Sequence, residues 1–347
     1  MSSCGWIAPL RVRHRPKEFR MSPRPVPAPR SVRRAVRIAL GATVAVVTAA
    51  TATACSTSSP KPANTGNTAA GGGSGKTIQV VAGENFWGSI ASQLGGSHVK
   101  VTSIITNPAT DPHDYEPTAA DARTVAGAQY AIVNGIGYDA WVDKLLASNP
   151  GSGRIELKIG DLVGIKPGGN PHRWYSPADV HKVIGKITAD YKKIDPADAA
   201  YFDQQKATFE TKTLAGYNKL IADIKAKYAG TPIGASESIV TPLSEGLGLK
   251  MLTPETFLDA MSEGSDPTAK DKAAIDDQIK NKQIKVYVYN SQNSTPDVQA
   301  QVKEAKAQGI PVATVTETLT PAGATFQQWQ TSQLQGVEQA LAKATGK

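Results

Sequence analysis

The chain has 347 residues, of which 40% are hydrophobic and 20% charged, and this composition excludes a largely disordered protein while leaving room for two ordinary domains. Its net charge of +8 would suggest a nucleic-acid partner if the charge were spread over the fold. Residues 1–54, however, contain ten Lys and Arg residues against the single acid Glu18, so the rest of the chain is close to neutral. We therefore expect no nucleic-acid partner.

Residues 1–54 have the organisation of a secretory signal. The basic stretch, which begins at Met1 or at Met21, is followed at 38–54 by IALGATVAVVTAATATA, which is short for a membrane span of about 20 residues. The Ala-Thr-Ala-Cys sequence that ends at Cys55 resembles a bacterial lipobox. This predicts lipid attachment at Cys55, the alternative being an inert cysteine in an uncleaved anchor. We expect an extracytoplasmic lipoprotein on the outer face of the cell membrane.

A Ser, Thr, Gly and Pro-rich segment at 55–76 has the composition of a flexible linker. After it, short apolar runs alternate with helical patterns, as in parallel βαβ units. The expected strands are 78–83, 99–105 and 130–135, and the expected helices are 90–94 and 119–126. The sequence therefore predicts an N-terminal α/β lobe over 77–195, with helix 178–191 near its end.

The helical pattern at 196–228 is more than twice as long as an average helix of about 11–12 residues, so we expect it to join two lobes as a spine. The alternation resumes over 229–347 as a C-terminal α/β lobe. Its expected strands are 231–235, 285–290 and 311–315. Four helices are expected: one that ends at 247, one at 268–281, one that ends at 308 and one at 325–344. The predicted fold class is α/β, with two parallel sheets, a helical spine and a ligand site in the cleft at the carboxyl ends of the strands.

Two of the five histidines lie in a context typical of a binding site. His113 and His172 each follow a proline in a loop, in the sequences DPHDYEPT and NPHRW. Each could also be an ordinary turn histidine. His98 and His181 are better explained as surface residues, and His14 lies in the signal.

Several segments together resemble one family. The sequences DPHDYEPT, NGIGYDAW and NPHRW, the spine and ESIVTPLSEGLGL occur in the order found in the metal receptors of zinc and manganese importers. These are the cluster A-I solute-binding lipoproteins of ABC transporters. The resemblance covers the chain from residue 78 to its end. It implies a monomeric receptor, not an enzyme, that captures Mn²⁺ or Zn²⁺ and delivers it to a membrane permease.

The resemblance also implies four metal ligands. The two histidines of the family pattern correspond to His113 and His172, the third ligand to Glu237 in ASES, and the fourth to Glu317 after the last strand. Glu116 is the alternative acid, although its place in the first motif favours a structural role. Two imidazoles and two carboxylates suit either ion.

The choice between the two ions rests on weaker signals. Glu237 stands where zinc receptors often have histidine, and the loop at 166–171 contains Gly and Asn instead of a His-rich insertion. Both features favour Mn²⁺ slightly, although Zn²⁺ binds more tightly at nearly any such site.

Other function classes have less support. A secreted metallohydrolase could use the same ligands, but the chain has no HExxH or GxSxG motif. An adhesin role has no independent signal in the sequence. The tryptophans Trp87, Trp141, Trp174 and Trp329 are better explained as core or cleft-wall residues than as a platform for an organic ligand.

Overall fold

The computed structural model describes residues 76–347. The predicted signal, the lipid attachment site Cys55 and all but the last residue of the predicted linker lie outside the described residues. Within 76–347, no helix combines the length and apolar character needed to cross a bilayer.

The first lobe contains a four-stranded parallel sheet in the order β2-β1-β3-β4. The strands are β1 (Ile78–Glu84), β2 (Val99–Ile105), β3 (Tyr130–Val133) and β4 (Ile155–Lys158). The helices are α1 (Asn85–Gly95), α2 (Ala119–Gly127), α3 (Ala140–Ser148) and α4 (Ile159–Val163). The inner strands β1 and β3 are buried almost throughout, as expected for a parallel sheet covered on both faces.

The second lobe repeats the same strand order, β6-β5-β7-β8, again with all strands parallel. Its strands are β5 (Pro232–Ala235), β6 (Lys250–Met251), β7 (Val286–Asn290) and β8 (Val312–Val315). Its helices are α8 (Thr241–Leu247), α9 (Glu255–Ser262), α10 (Ala269–Lys280), α11 (Pro296–Ala307) and α12 (Phe326–Thr345). The predicted α/β class with two parallel sheets is confirmed.

The connection between the lobes is helical, but it is not the single helix expected at 196–228. It consists of α5 (Pro177–Ile194), α6 (Ala199–Thr208) and α7 (Ala215–Tyr228). A π-helical segment, Phe209–Thr213, separates α6 from α7, and the Leu214 amide donates to the Phe209 carbonyl at 2.8 Å. Helix α6 packs against α1 and α5, whereas α7 packs against α8 and α12. The first helix therefore packs with the first lobe and the second helix with the second lobe.

One hydrophobic core extends through both lobes. Phe86 and Trp174 of the first lobe stack at 4.0 Å between ring centroids, and Trp329 of α12 lies 5.8 Å from Tyr175. The four tryptophans singled out from the sequence are all buried, which agrees with their interpretation as core residues.

Candidate metal site

The four predicted ligands lie on loops that face one cleft between the lobes. His113 follows β2 and His172 precedes α5, both in the first lobe, whereas Glu237 follows β5 and Glu317 follows β8 in the second. The acids thus follow the carboxyl ends of their strands, where ligands bind in open parallel sheets.

His172 and Glu317 meet across the cleft. The Nε2 atom of His172 lies 3.7 Å from Oε1 of Glu317, with the histidine side chain 2% exposed and the glutamate side chain 18% exposed. Burial lowers the pKa of His172, which favours the neutral imidazole that metals require. Burial acts to raise the pKa of Glu317, but the two neighbouring histidines, His172 first, hold it below its usual range. The two effects oppose each other, because only a protonated His172 lowers the pKa of Glu317 by its charge. The burial of His172 favours the neutral form, in which Glu317 faces an imidazole that carries no opposite charge.

Asn170 fixes the orientation of His172. Its side-chain oxygen, which can only accept, lies 3.0 Å from Nδ1 of His172 and also accepts the His172 backbone N–H at 3.0 Å. The proton therefore sits on Nδ1, and the lone pair of Nε2 points into the cleft. The Asn170 amide nitrogen donates to the Ser238 carbonyl at 2.7 Å, next to Glu237 in the second lobe.

Glu237 is a buried acid with one oxygen unused. It is 3% exposed, and its Oε2 accepts from the Asn293 amide at 2.9 Å, whereas Oε1 has no hydrogen-bond partner. Burial, followed by the charge of Glu317, raises the pKa of Glu237 to about 8. A buried carboxyl oxygen without a hydrogen-bond partner is costly, and a bound cation would satisfy it.

His113 differs from the other three because it is exposed at the rim of the cleft. Its backbone N–H donates to Asp111 at 2.8 Å, and the Trp141 indole N–H donates to the Pro112 carbonyl at 3.0 Å. Its ring lies edge-on to Tyr138 at 4.8 Å. The loop is therefore anchored while the His113 side chain remains accessible.

The loop after β3 supports Tyr138 with an unusual backbone. The φ values are positive at three consecutive residues, 72° at Gly135, 63° at Ile136 and 96° at Gly137, and only Ile136 is strained by this. The turn places the Asp139 carboxylate where it accepts the backbone N–H groups of Asn134 at 2.8 Å and of Gly135 at 2.7 Å.

A further buried acid, Glu84, lies at the end of β1 behind this loop. Both of its oxygens lack a hydrogen-bond partner, and burial first, then the charge of Asp139, raises its pKa well above the usual value. This shift favours the neutral, protonated form of Glu84.

Two adjoining cavities of about 290 and 250 Å³ open beside His113. Glu317, Gln292 and Asn293 line the first, and Tyr138, Ser238 and Asp259 line the second. Both are smaller than typical organic-ligand sites of about 300–1,000 Å³. The first, lined by Asp111, His113 and Glu317, offers more to an ion than to an organic molecule. Glu116 is exposed and lines neither cavity.

The structure brings the predicted residues to one cleft without placing them in a ligand shell. Across residues 76–347, no three His, Cys, Asp or Glu side chains are near enough to one another to hold a metal ion. The sequence analysis did not identify Asn170, Asp259, Gln292 or Asn293. For Gln292 and Asn293, the run of polar residues after β7 was the only sequence signal of a functional role.

Comparisons with known proteins place the fold. Residues 80–340 match the model of the protein family described as "ZnuA: Zinc-uptake complex component A periplasmic". The structure of an Mn-bound periplasmic metal binding protein from candidatus liberibacter asiaticus superposes with a TM-score of 0.64 at 20% identity, covering 77% of this chain and 100% of that one. At this identity the likeness supports the fold alone.

Curated relatives cover much of the chain. The manganese-binding lipoprotein MntA of Bacillus subtilis is 26% identical over 70% of this chain and 81% of its own length. The iron-binding protein YfeA of Yersinia pestis is 25% identical over 67% of this chain and 76% of its own. The zinc-binding lipoprotein AdcA of Streptococcus pneumoniae is 27% identical over 58% of this chain and 43% of its own. The resemblance drawn from the sequence motifs is confirmed, and none of these names supports a hydrolase.

Proposed function

Because the chain belongs to the zinc-uptake complex component A family, we propose that it is a receptor that captures a divalent transition metal, Mn²⁺ or Zn²⁺, and delivers it to an ABC-type importer. The proposed ligands are His113, His172, Glu237 and Glu317. Relatives with manganese, iron and zinc in their names support the substrate class.

The observation that carries the proposal is the approach of His172 and Glu317 across the cleft. A neutral imidazole nitrogen of one lobe and a carboxylate oxygen of the other are 3.7 Å apart, and a cation between them would satisfy both. The unpartnered Oε1 of Glu237 supports the same site.

Ligation requires a small rearrangement. Because His113 is exposed, its side chain can rotate toward the other three ligands without disturbing the core. Two carboxylates against two neutral imidazoles give a site of charge −2, which a divalent ion neutralises. The ion therefore fastens the lobes together.

The choice of metal follows from donor chemistry. Two imidazoles suit Zn²⁺, and carboxylates suit Mn²⁺. Glu237 in the third position favours Mn²⁺ slightly, and a competition experiment decides between the two ions.

The location and partners form part of the proposal. A secretory signal over residues 1–54 would direct export of the chain. A lipid on Cys55 and the flexible linker would then hold the monomeric receptor on the outer face of the cell membrane, beside its permease. Two curated relatives are named as lipoproteins, which supports this location.

The proposal is tested by direct metal binding. We expect residues 77–347, stripped with chelator, to bind one Zn²⁺ or Mn²⁺ per chain by calorimetry. The changes His113→Ala, His172→Ala, Glu237→Gln and Glu317→Gln should each weaken binding at least tenfold, because each removes one of four ligands.

His181→Ala and Glu245→Gln are matched controls, since both residues are exposed on helices away from the cleft. The ligand assignment fails if the four cleft variants bind as well as these two controls. The receptor function itself fails if the parent protein binds no divalent ion.

A further inference from the structure

Gln292 makes hydrogen bonds to both lobes from the loop that follows β7. Its amide nitrogen donates to the Pro108 carbonyl at 2.9 Å and to the Thr318 hydroxyl at 3.0 Å. Its amide oxygen accepts the backbone N–H groups of Glu317 at 2.6 Å and of Thr318 at 3.0 Å. Both ends of this half-buried amide are therefore engaged, which fixes its orientation.

These contacts join the two loops that carry the rim ligand and the last acid. Pro108 lies five residues before His113 on the same loop, whereas Thr318 directly follows Glu317. Pro108, His113, Gln292 and Glu317 all line the larger of the two cavities. The Pro108–Gln292 hydrogen bond therefore spans the mouth of the cleft on this side.

A second bridge spans the opposite rim, where Asn170 donates to the Ser238 carbonyl. That bridge holds His172, which packing already fixes because it is buried. His113 is exposed and lacks this restraint. The Gln292 bridge is a contact from the second lobe that limits how far the His113 loop can move away from Glu317.

We infer that Gln292 is a positioning residue that ties the His113 loop to Glu317 and slows the release of the bound metal. This inference rests on the proposed function and adds to it a determinant of residence time. An ion that leaves the cleft must separate His113 from Glu317, and the bridge opposes that separation. Its loss should act on dissociation more than on association.

The first arm of the test measures the bridge in the metal-free protein. We expect Gln292→Met, which keeps the size of the side chain and removes its hydrogen bonds, to increase amide hydrogen exchange in residues 107–114 and in 317–318. Gln292→Glu retains an acceptor for the two backbone N–H groups and loses the donor. It should therefore increase exchange in 107–114 and leave 317–318 protected.

The second arm measures release. Zn²⁺ is loaded and its dissociation into excess chelator is followed by stopped flow. We expect Gln292→Met to release the ion on the order of tenfold faster than the parent, with the association rate within about twofold, as loss of the hydrogen bonds of one amide permits.

Two controls make the outcomes distinct. Gln299→Met changes an exposed glutamine on α11 and should leave exchange and release unchanged. Asn293→Ala removes a partner of Glu237 whose contacts lie within the second lobe, so it should leave exchange in 107–114 unchanged.

The inference is overturned if Gln292→Met matches Gln299→Met in both measurements while the parent binds metal normally. If the parent binds neither ion, the proposed function fails, and the release role fails with it.

Discussion

Glu237 should couple metal binding to proton release. Its pKa of about 8 in the metal-free protein, raised by burial and by Glu317, means that it carries a proton at pH 7, whereas a metal ligand must be ionised. His172 adds no proton because burial lowers its pKa. We expect close to one proton released per ion at pH 7, and an affinity that rises about tenfold per pH unit up to about pH 8.

Calorimetry in buffers of different ionisation enthalpy measures this proton directly. Glu237→Gln cannot release it, and the residual binding of that variant should vary little between pH 7 and pH 8. An affinity of the parent that is constant over this range would contradict the assignment of Glu237 as a ligand.

The buried acid Glu84 should make the metal-free protein less stable as pH rises. Burial and Asp139 raise its pKa well above the ordinary 4.5, so the folded state keeps a proton that the unfolded chain loses. Stability from this group is therefore fully present below about pH 4.5 and is lost as pH rises toward the pKa of the folded state.

Glu84→Gln removes this dependence because an amide does not titrate. We expect the variant to gain stability relative to the parent as pH rises above about 4.5, by at most about 1.4 kcal/mol per pH unit, measured by urea unfolding. The same change at the exposed Glu116 should have no such effect. Parallel pH profiles for the parent and Glu84→Gln would contradict the prediction.

The candidate ligands were predictable from the sequence, but their supporting residues were not. His113 and His172 stand in short local motifs, where a preceding proline marks an ordered loop. Asn293, in contrast, meets Glu237 across 56 residues of chain, and Gln292 meets Pro108 across 184. The first pair depends on how β5 and β7 are placed in one sheet and the second on how the two lobes are placed, neither of which a local pattern encodes.

An indole hydrogen bond anchors the His113 loop directly beside the ligand. Trp141 at the start of α3 donates to the Pro112 carbonyl, which is adjacent to His113. We expect Trp141→Phe to keep most of the packing, to cost about 1 kcal/mol of unfolding free energy and to weaken metal binding about fivefold, because the loop loses its anchor.

Tyr191→Phe is the matched control for this change, since it removes a buried side-chain donor from the Ala91 carbonyl in the core of the first lobe. The control should lose similar stability in thermal unfolding and keep its metal affinity in calorimetry. If Trp141→Phe also keeps its affinity, the anchor does not position His113.

Element prediction succeeded where hydrophobic periodicity was strong. The buried strands β1, β3, β5 and β7 were all expected, whereas the edge strands β4 and β6 were not. β6 has only two residues, and β4, although as long as β3, has the sequence IELK, in which two charged residues interrupt the apolar run. The π-helical segment was not predicted. Phe209 and Leu214 are both buried, and their spacing of five residues is close enough to a helical repeat to suggest one continuous helix.

At the scale of the whole molecule, the two lobes should unfold together. The core is continuous through both lobes, and α12 of the second lobe packs against α1 of the first. The Phe326 amide donates to the Ser89 hydroxyl at 2.9 Å, and the side chains of Gln93 and Gln327 exchange hydrogen bonds. Unfolding one lobe would expose the apolar surface of the other, so neither is expected to persist alone.

We therefore expect differential scanning calorimetry of residues 77–347 to show one transition, with equal calorimetric and van't Hoff enthalpies. A metal held at 1,000 times its dissociation constant should raise the unfolding free energy by about 4 kcal/mol and move that single transition upward. Two transitions, only one of them shifted by metal, would mean that the ion binds within one lobe. His172 and Glu317 would then not share it, because they lie in different lobes.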